Sequence, residues 1–319
     1  MISLRRLQHL LFLVEYGHFG HAAKALNISQ PALTKSIQAL EAELGVTLLD
    51  RARGAPTLTA FGELVVQRCK PLFAAEDDLQ RELALLAGHE AGSLKVALGP
   101  YPSITSGYPA IARMLSRHPK IRVAVSVVAW REVPHLVASR AVDIGIADLR
   151  GLQNNELFDT ELIGQHVGRF CCRSGHPLTK RKHVTLSQLM EFPWLSVRFP
   201  PAMAAKLPKP LGAAGTIDPV SGDFVPNIEI DAPVRLATLL PNCDAIGMSV
   251  LSILKPDLDA RKLALIQINC LEIKSNYGFI TQRGRTLTPA TIAFMDEVRD
   301  IEKGIVKNEL EIAAELGVQ

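Results

Sequence analysis

The chain has 319 residues, enough for two or three domains with separate cores. Its 48% hydrophobic and 21% charged residues exclude a disordered chain. A net charge of +3 does not by itself mark a nucleic-acid binder, although a local basic surface can hide inside that average.

Leu4, Leu7, Leu10, Leu11, Val14 and Phe19 predict a first helix over roughly 3–16. Two further amphipathic patterns then meet at a tight turn, Asn27-Ile28-Ser29. Ser29 is a favourable N-cap, and Pro31 falls in the first turn of the second pattern, where a missing N–H does little harm. Ala23, Leu26, Ile28, Leu33, Ile37, Leu40 and Leu44 recur at helical spacing, which leaves Gln30, Thr34, Lys35 and Gln38 as a polar face. A short helix, a sharp turn and a second helix bearing amide, hydroxyl and cationic groups form the pattern of a helix-turn-helix. Asp50 to Thr59, with Gly54 and Pro56 at a turn and Arg51 and Arg53 beside it, reads as a wing.

Thr59 is placed to N-cap a long helix over 60–87. Phe61, Val65, Arg68, Leu72, Ala75, Leu79, Leu83 and Leu86 form a narrow stripe close to a coiled-coil seam, which predicts pairing with a second copy. Residues 88–92 read as a Gly-bearing hinge. Beyond them strands and helices alternate: strand 94–98, helix 103–117, strand 121–128, helix 132–140 and strand 142–147. This order predicts a mainly parallel sheet with helices on its faces. Strand 166–172 leads to a second cycle with strand 194–197, strand 227–231, helix 233–240 and strand 245–250. Returning strands are expected at 262–269 and 276–282, with a closing helix at 288–304. Six prolines within 199–226 leave room only for a short helix near 202–207.

Five cysteines, at 69, 171, 172, 243 and 270, have no CxxC spacing, so reduced structural thiols are expected. Cys171 and Cys172 with His176 invite a metal reading. Neighbours on a strand point to opposite faces, however, so no metal and no cofactor is expected. With no leader and no run of 18 apolar residues, a cytoplasmic chain without membrane contact is expected.

Ala22-Ala23, Leu26, Ser29-Gln30-Pro31-Ala32-Leu33, Ile37, Leu40-Glu41, Leu44-Gly45, Leu48-Leu49-Asp50-Arg51, Leu58-Thr59 and Gly62 stand in the order and spacing of the LysR-type transcriptional regulators, which the chain resembles. His176-Pro177-Leu178 matches an element of that family's second module. The resemblance implies an α/β chain in which residues 1–59 form a winged helix-turn-helix DNA-binding domain and 60–87 a linker helix for dimerisation. After the 88–92 hinge, residues 93–319 would form a two-lobed α/β effector-binding domain resembling periplasmic binding proteins. Lobe 1 would take 93–165 and 267–319, and lobe 2 would take 166–266.

On this reading Ser29, Gln30, Pro31, Thr34, Lys35, Arg51, Arg53 and Thr59 face double-stranded operator DNA. Gln30 and Thr34 are placed for base edges, and the wing arginines for backbone or minor-groove edges. The carboxyl ends of strands bring Ser103, Trp130, Arg131, Ser196, Arg198 and Asp231 to an effector cleft. Arg131 and Arg198 there would suit a carboxylate. The implied partners are operator DNA, a small-molecule effector, a second copy in a homodimer or homotetramer, and RNA polymerase.

Some positions depart from the family. His18 stands where serine is frequent, and Gly20 is expected to cap the following helix. Ser36 replaces a longer polar side chain, Trp130 a small hydroxyl residue, and Ala232 a frequent serine. The last two predict a more apolar effector site or a different ligand. Three other readings compete with this one: a regulator answering to a protein partner, a transport binding protein, and an α/β enzyme. For the enzyme there is no G-x-S-x-G, Walker or HExxH motif.

Overall fold

A computed structural model describes residues 2–50, 56–86, 92–152, 155–181, 183–230, 236–268 and 273–318. They belong to two compact units, Met1–Ala84 and Leu85–Gln319.

In the first unit α1 (Leu4–Tyr16), α2 (Phe19–Ala25) and α3 (Gln30–Leu44) precede an antiparallel ribbon of β1 (Leu49–Asp50) and β2 (Thr57–Leu58), then the long α4 (Ala60–Leu86). Leu7, Leu10 and Leu13 of α1 close on Ala22, Ala23, Leu33, Ile37 and Leu40, so the helical periodicity buries one face of each helix. The turn into α3 needs a left-handed residue, which Asn27 supplies at φ 54°. A Cβ at Gly62 would collide with the Leu48 carbonyl oxygen, so only glycine lets α4 pass this close to the ribbon. The residues that α4 buries in this core are Val66 and Cys69, one position beyond the stripe read from the sequence. Phe61, Leu72, Leu79 and Leu83 of that stripe are exposed.

The second unit opens with β3 (Ser93–Leu98), α5 (Pro100–Pro102), a π-helical turn (Ser103–Gly107), α6 (Tyr108–Arg117), β4 (Arg122–Val127), α7 (Glu132–Ala138) and β5 (Ile144–Asp148). Then come β6 (Phe158–Arg173), α8 (Leu186–Leu189), β7 (Trp194–Ser196), α9 (Pro201–Ala204), a hairpin of β8 (Gly215–Ile217) and β9 (Phe224–Pro226), and β10 (Ile228–Glu229). The chain closes with α10 (Leu236–Leu239), β11 (Ile246–Ser249), α11 (Leu251–Asp259), β12 (Leu263–Leu265), β13 (Ile273–Gln282) and α12 (Pro289–Leu316).

The main sheet runs β10-β7-β11-β6-β13-β5-β3-β4, with β12 also on β6. It is mixed rather than mainly parallel. β4-β3-β5 and β10-β7-β11 are parallel, while β6 and β13 are antiparallel to each other and to their outer neighbours. β6 pairs with β13 over Phe158–Gly168, then passes to β11 and β12 over Arg169–Arg173. The two lobes are therefore joined by one shared antiparallel ribbon.

Several elements differ from expectation for identifiable reasons. β6 starts eight residues before the expected 166, because Asp159, Thr160 and Glu161 are exposed and carry no apolar signal. The expected helix 103–117 is broken by the π-turn, where the Tyr108 N–H donates to the Ser103 carbonyl and Pro109 follows with no N–H to give. α12 continues past Gly304 to a left-handed cap at Gly317. The β8–β9 hairpin lies in the proline-rich stretch, and its three-residue strands are too short to show alternation. Cys171 and Cys172 enter different cores, Cys171 beside Leu195 and Leu240 and Cys172 beside Trp194 and Phe224. They sit on opposite faces of the sheet. No described helix is long and apolar enough to cross a membrane.

Candidate functional site

In the first unit the candidate surface is the start of α3. Ser29 caps it by accepting the Ala32 N–H at 3.3 Å. Leu33, Ile37 and Leu40 are fully buried, which turns Gln30, Pro31, Lys35 and Gln38 to solvent. Thr34 is half-buried and donates to the Gln30 carbonyl at 3.1 Å. The side chains of Gln30, Lys35 and Gln38 make no hydrogen bond with other described residues. Thr59 is more committed. Its hydroxyl donates to Thr47 O at 2.7 Å and accepts the Gly62 N–H at 3.1 Å, so it caps α4 and pins the ribbon. Arg51 and Arg53 lie outside the described residues.

Two departures noted in the sequence find structural causes. His18, not Gly20, is the cap of α2, its Nδ1 accepting the Gly20 N–H at 3.0 Å. Ser36 lies 2.7 Å from Nδ1 of the buried His9 on α1, so it joins two helices rather than extending the polar face. Burial, with Arg5 nearby, lowers the His9 pKa.

In the second unit both lobes line one cleft of about 680 Å3, part of it open to solvent. β3 and the following loop supply Gly99 to Pro102, β5 supplies Asp148, and Trp130 comes from the loop after β4. Lobe 2 supplies Val197 to Pro200, Met203, Met248 and Ser249, and the connecting ribbon supplies Gly168, Ile273 and Tyr277. Tyr101 crosses between lobes, its hydroxyl donating to Met248 O at 2.9 Å with Ser196 beside it. Burial pushes the Tyr101 phenol pKa up.

The sequence-derived effector residues divide. Trp130 and Arg198 line the cleft. Ser103 does not: it is 3% exposed, and its hydroxyl donates to Pro100 O at 2.6 Å, which fixes the loop from beneath. Ser196 is buried at the end of β7, under the lining. Arg131 stands behind the wall, its guanidinium 4.6 Å from the Trp130 ring centre and forked onto both oxygens of the buried Asp223. Arg198 is held by Glu229 at 2.7 Å and Asp218 at 3.4 Å. Both arginines are thus engaged by protein carboxylates, so a carboxylate ligand there would have to share the cation with an acid already bound to it. Asp231 lies outside the described residues.

Sequence reasoning missed several cleft groups. Ser249 ends β11, a strand terminus of the kind already expected to carry ligand contacts. Asp148 and Arg150, two residues apart, pair at 2.7 Å on the opposite lobe. No local pattern pointed to the cluster behind Tyr277. There the buried His166 on β6 sits between Glu309 at 2.8 Å and Glu302 at 3.0 Å, and the Tyr277 hydroxyl is 2.8 Å from both His166 Nε2 and Glu302. Ser252 of α11 donates to Glu309 at 2.6 Å, and Thr105 of the π-turn meets Tyr277 at 3.0 Å. Burial alone would lower the His166 pKa. The two carboxylates outweigh it and raise the pKa to about 9. Among the described residues no group of His, Cys, Asp and Glu is arranged to hold a metal ion.

Comparison with known proteins places both units. Residues 4–63 match the model of the bacterial regulatory helix-turn-helix protein, lysR family, and residues 87–302 match the LysR substrate binding domain. The chain is 33% identical over 304 residues to the SDS degradation transcriptional activation protein of a Pseudomonas species, covering 94% of this chain and 96% of that one. Full-length OxyR from Pseudomonas aeruginosa, a point variant, is similar in fold with a TM-score of 0.65 at 17% identity, over 94% of this chain and 95% of that one. CbnR, a LysR family transcriptional regulator, gives 0.59 at 21% identity, over 94% and 99%.

Proposed function

Since the chain belongs to the LysR family of transcriptional regulators, with that family's DNA-binding and substrate-binding domains, we propose that it reads a specific operator through α3 and answers to a small molecule in the interlobe cleft. The observation that carries the reading is the uncommitted polar start of α3 on a fully buried apolar back. Gln30 has the donor and acceptor to pair with adenine, Thr34 offers a hydroxyl or methyl, and Lys35 reaches phosphate or guanine. Ser29 and Pro31 set the angle of entry. Arg51 and Arg53 would add backbone contacts from the wing.

The exposed Phe61, Leu72, Leu79 and Leu83 of α4 favour pairing with a second copy, which would present two reading heads to two half-sites. The name of the Pseudomonas relative favours activation as the mode of control, by way of contact with RNA polymerase.

The test is gel retardation of the chain's own promoter region against random DNA across a salt series, with sedimentation of the same material. A dimer or tetramer that retards the promoter selectively is expected. Monomeric protein that retards neither fragment at low salt would overturn the reading.

A further inference from the structure

We propose that the cleft takes an uncharged, chain-like apolar molecule with a single hydroxyl or carbonyl, its polar group against Ser249 and its chain along the apolar wall. The inference rests on reading the cleft as the effector site, and it names the ligand class. Three observations carry it.

The wall is apolar on both lobes, with Pro102 and Trp130 on one and Phe199, Met203 and Met248 on the other. Covering such surface is favourable in proportion to its area, and this favours a hydrocarbon chain. The charges that the described wall carries already have partners. Among the described lining residues they are Asp148, Arg150 and Arg198; the first two pair with each other, and Arg198 is held by Glu229 and Asp218. An anionic headgroup at Arg198 would sit beside Glu229 and Asp218, two carboxylates already facing one guanidinium, and one at Arg150 would sit beside Asp148. Among the described lining residues, one buried polar side chain is left over. Ser249 is 1% exposed, and its hydroxyl has no hydrogen-bond partner among the described residues. A buried hydroxyl without a partner is costly, and a hydroxyl or carbonyl on the ligand removes that cost without adding charge.

The test titrates the full chain with 1-octanol, octanoate and octyl sulfate, following heat and the emission of Trp130, with Trp130→Phe as the optical control. Octanol is expected to bind saturably and at least tenfold more tightly than either anion. Ser249→Ala should weaken octanol roughly three- to tenfold, the effect of one neutral hydrogen bond, with a thermal transition of the free protein equal to or above that of the wild type. Val197→Trp, which fills the cleft, should abolish binding. The proposal is overturned if an anion binds as tightly as octanol, if no probe saturates, or if octanol is indifferent to both substitutions. An anion that binds tightly, and is lost in Val197→Trp, would end the ligand class while leaving the effector-site reading intact. Probes that all bind Val197→Trp unchanged would end both.

Discussion

The start of α3 and the interlobe cleft dispose of their polar groups in opposite ways. On α3 the apolar side is fully buried while Gln30, Lys35 and Gln38 stand in solvent with no partner among the described residues. In the second unit the charged groups are committed to partners: Arg131 to Asp223, Arg198 to Glu229, and the buried His166 to Glu302 and Glu309. The first surface can change without disturbing the fold, so its substitutions should report on DNA alone. The second cannot, and substitutions there should report on stability first.

The sharpest way to break this contrast is the buried cluster. Glu302→Ala leaves His166 and the Tyr277 hydroxyl short of a buried partner and should cost about 3–5 kcal/mol, read from urea denaturation. A loss under 1 kcal/mol would show the cluster to be ornamental. Its pH signature is specific. The folded His166 pKa of about 9 lies above the unfolded value of 6.5, so its stabilisation is complete below pH 6.5 and is lost as pH rises through about 9. Denaturation at pH 6 and pH 10 should reveal that loss in the wild type and much less of it in Glu302→Ala. Equal slopes in the two proteins would contradict the assignment.

Arg131→Ala strips the buried Asp223 of its forked guanidinium. Because Arg131 is partly exposed, about 2 kcal/mol is expected rather than the full cost of a buried pair. Asp223→Asn should be milder, since an amide can still accept from the arginine. A thermal transition unmoved in both variants would remove the link between lobes.

Gln30→Ala should lower discrimination between operator and random DNA by about 1–3 kcal/mol, with stability within about 0.5 kcal/mol of wild type. If both DNAs lose affinity equally, Gln30 does not read bases. Ser36→Ala is the smallest effect, about 1 kcal/mol of first-unit stability from the lost His9 contact, measured by denaturation. A change in operator preference without a stability loss would put Ser36 on the DNA after all.

What could be read in the chain followed the length and regularity of each pattern. α1 to α4 carry sustained helical periodicity with Ser29, Pro31 and Thr59 as punctuation, so their positions needed no tertiary information. The first half of β6 has no such pattern. Its strand conformation comes from pairing with β13, more than 110 residues away. The β8–β9 hairpin is too short to alternate.

The site divides the same way. Ser249 was available from its place at a strand end, as were Trp130 and Arg198. His166 was not, because Glu302 and Glu309 lie 136 and 143 residues away and meet it only when α12 docks. Arg131 and Arg198 were visible as cations, but the carboxylates that hold them lie 20 to 92 residues further along the chain.

The ribbon of β6 and β13 decides what kind of lobe movement the second unit permits. Two strands bonded rung to rung keep their spacing and resist sliding along each other, yet they coil with little effort. Opening or shutting of the space above them is therefore a torsion about one axis, like the wringing of a strap. Tyr277 of that ribbon lines the cleft and donates its hydroxyl to Glu302 of α12, so a torsion of the strap is passed to the helix through this bond.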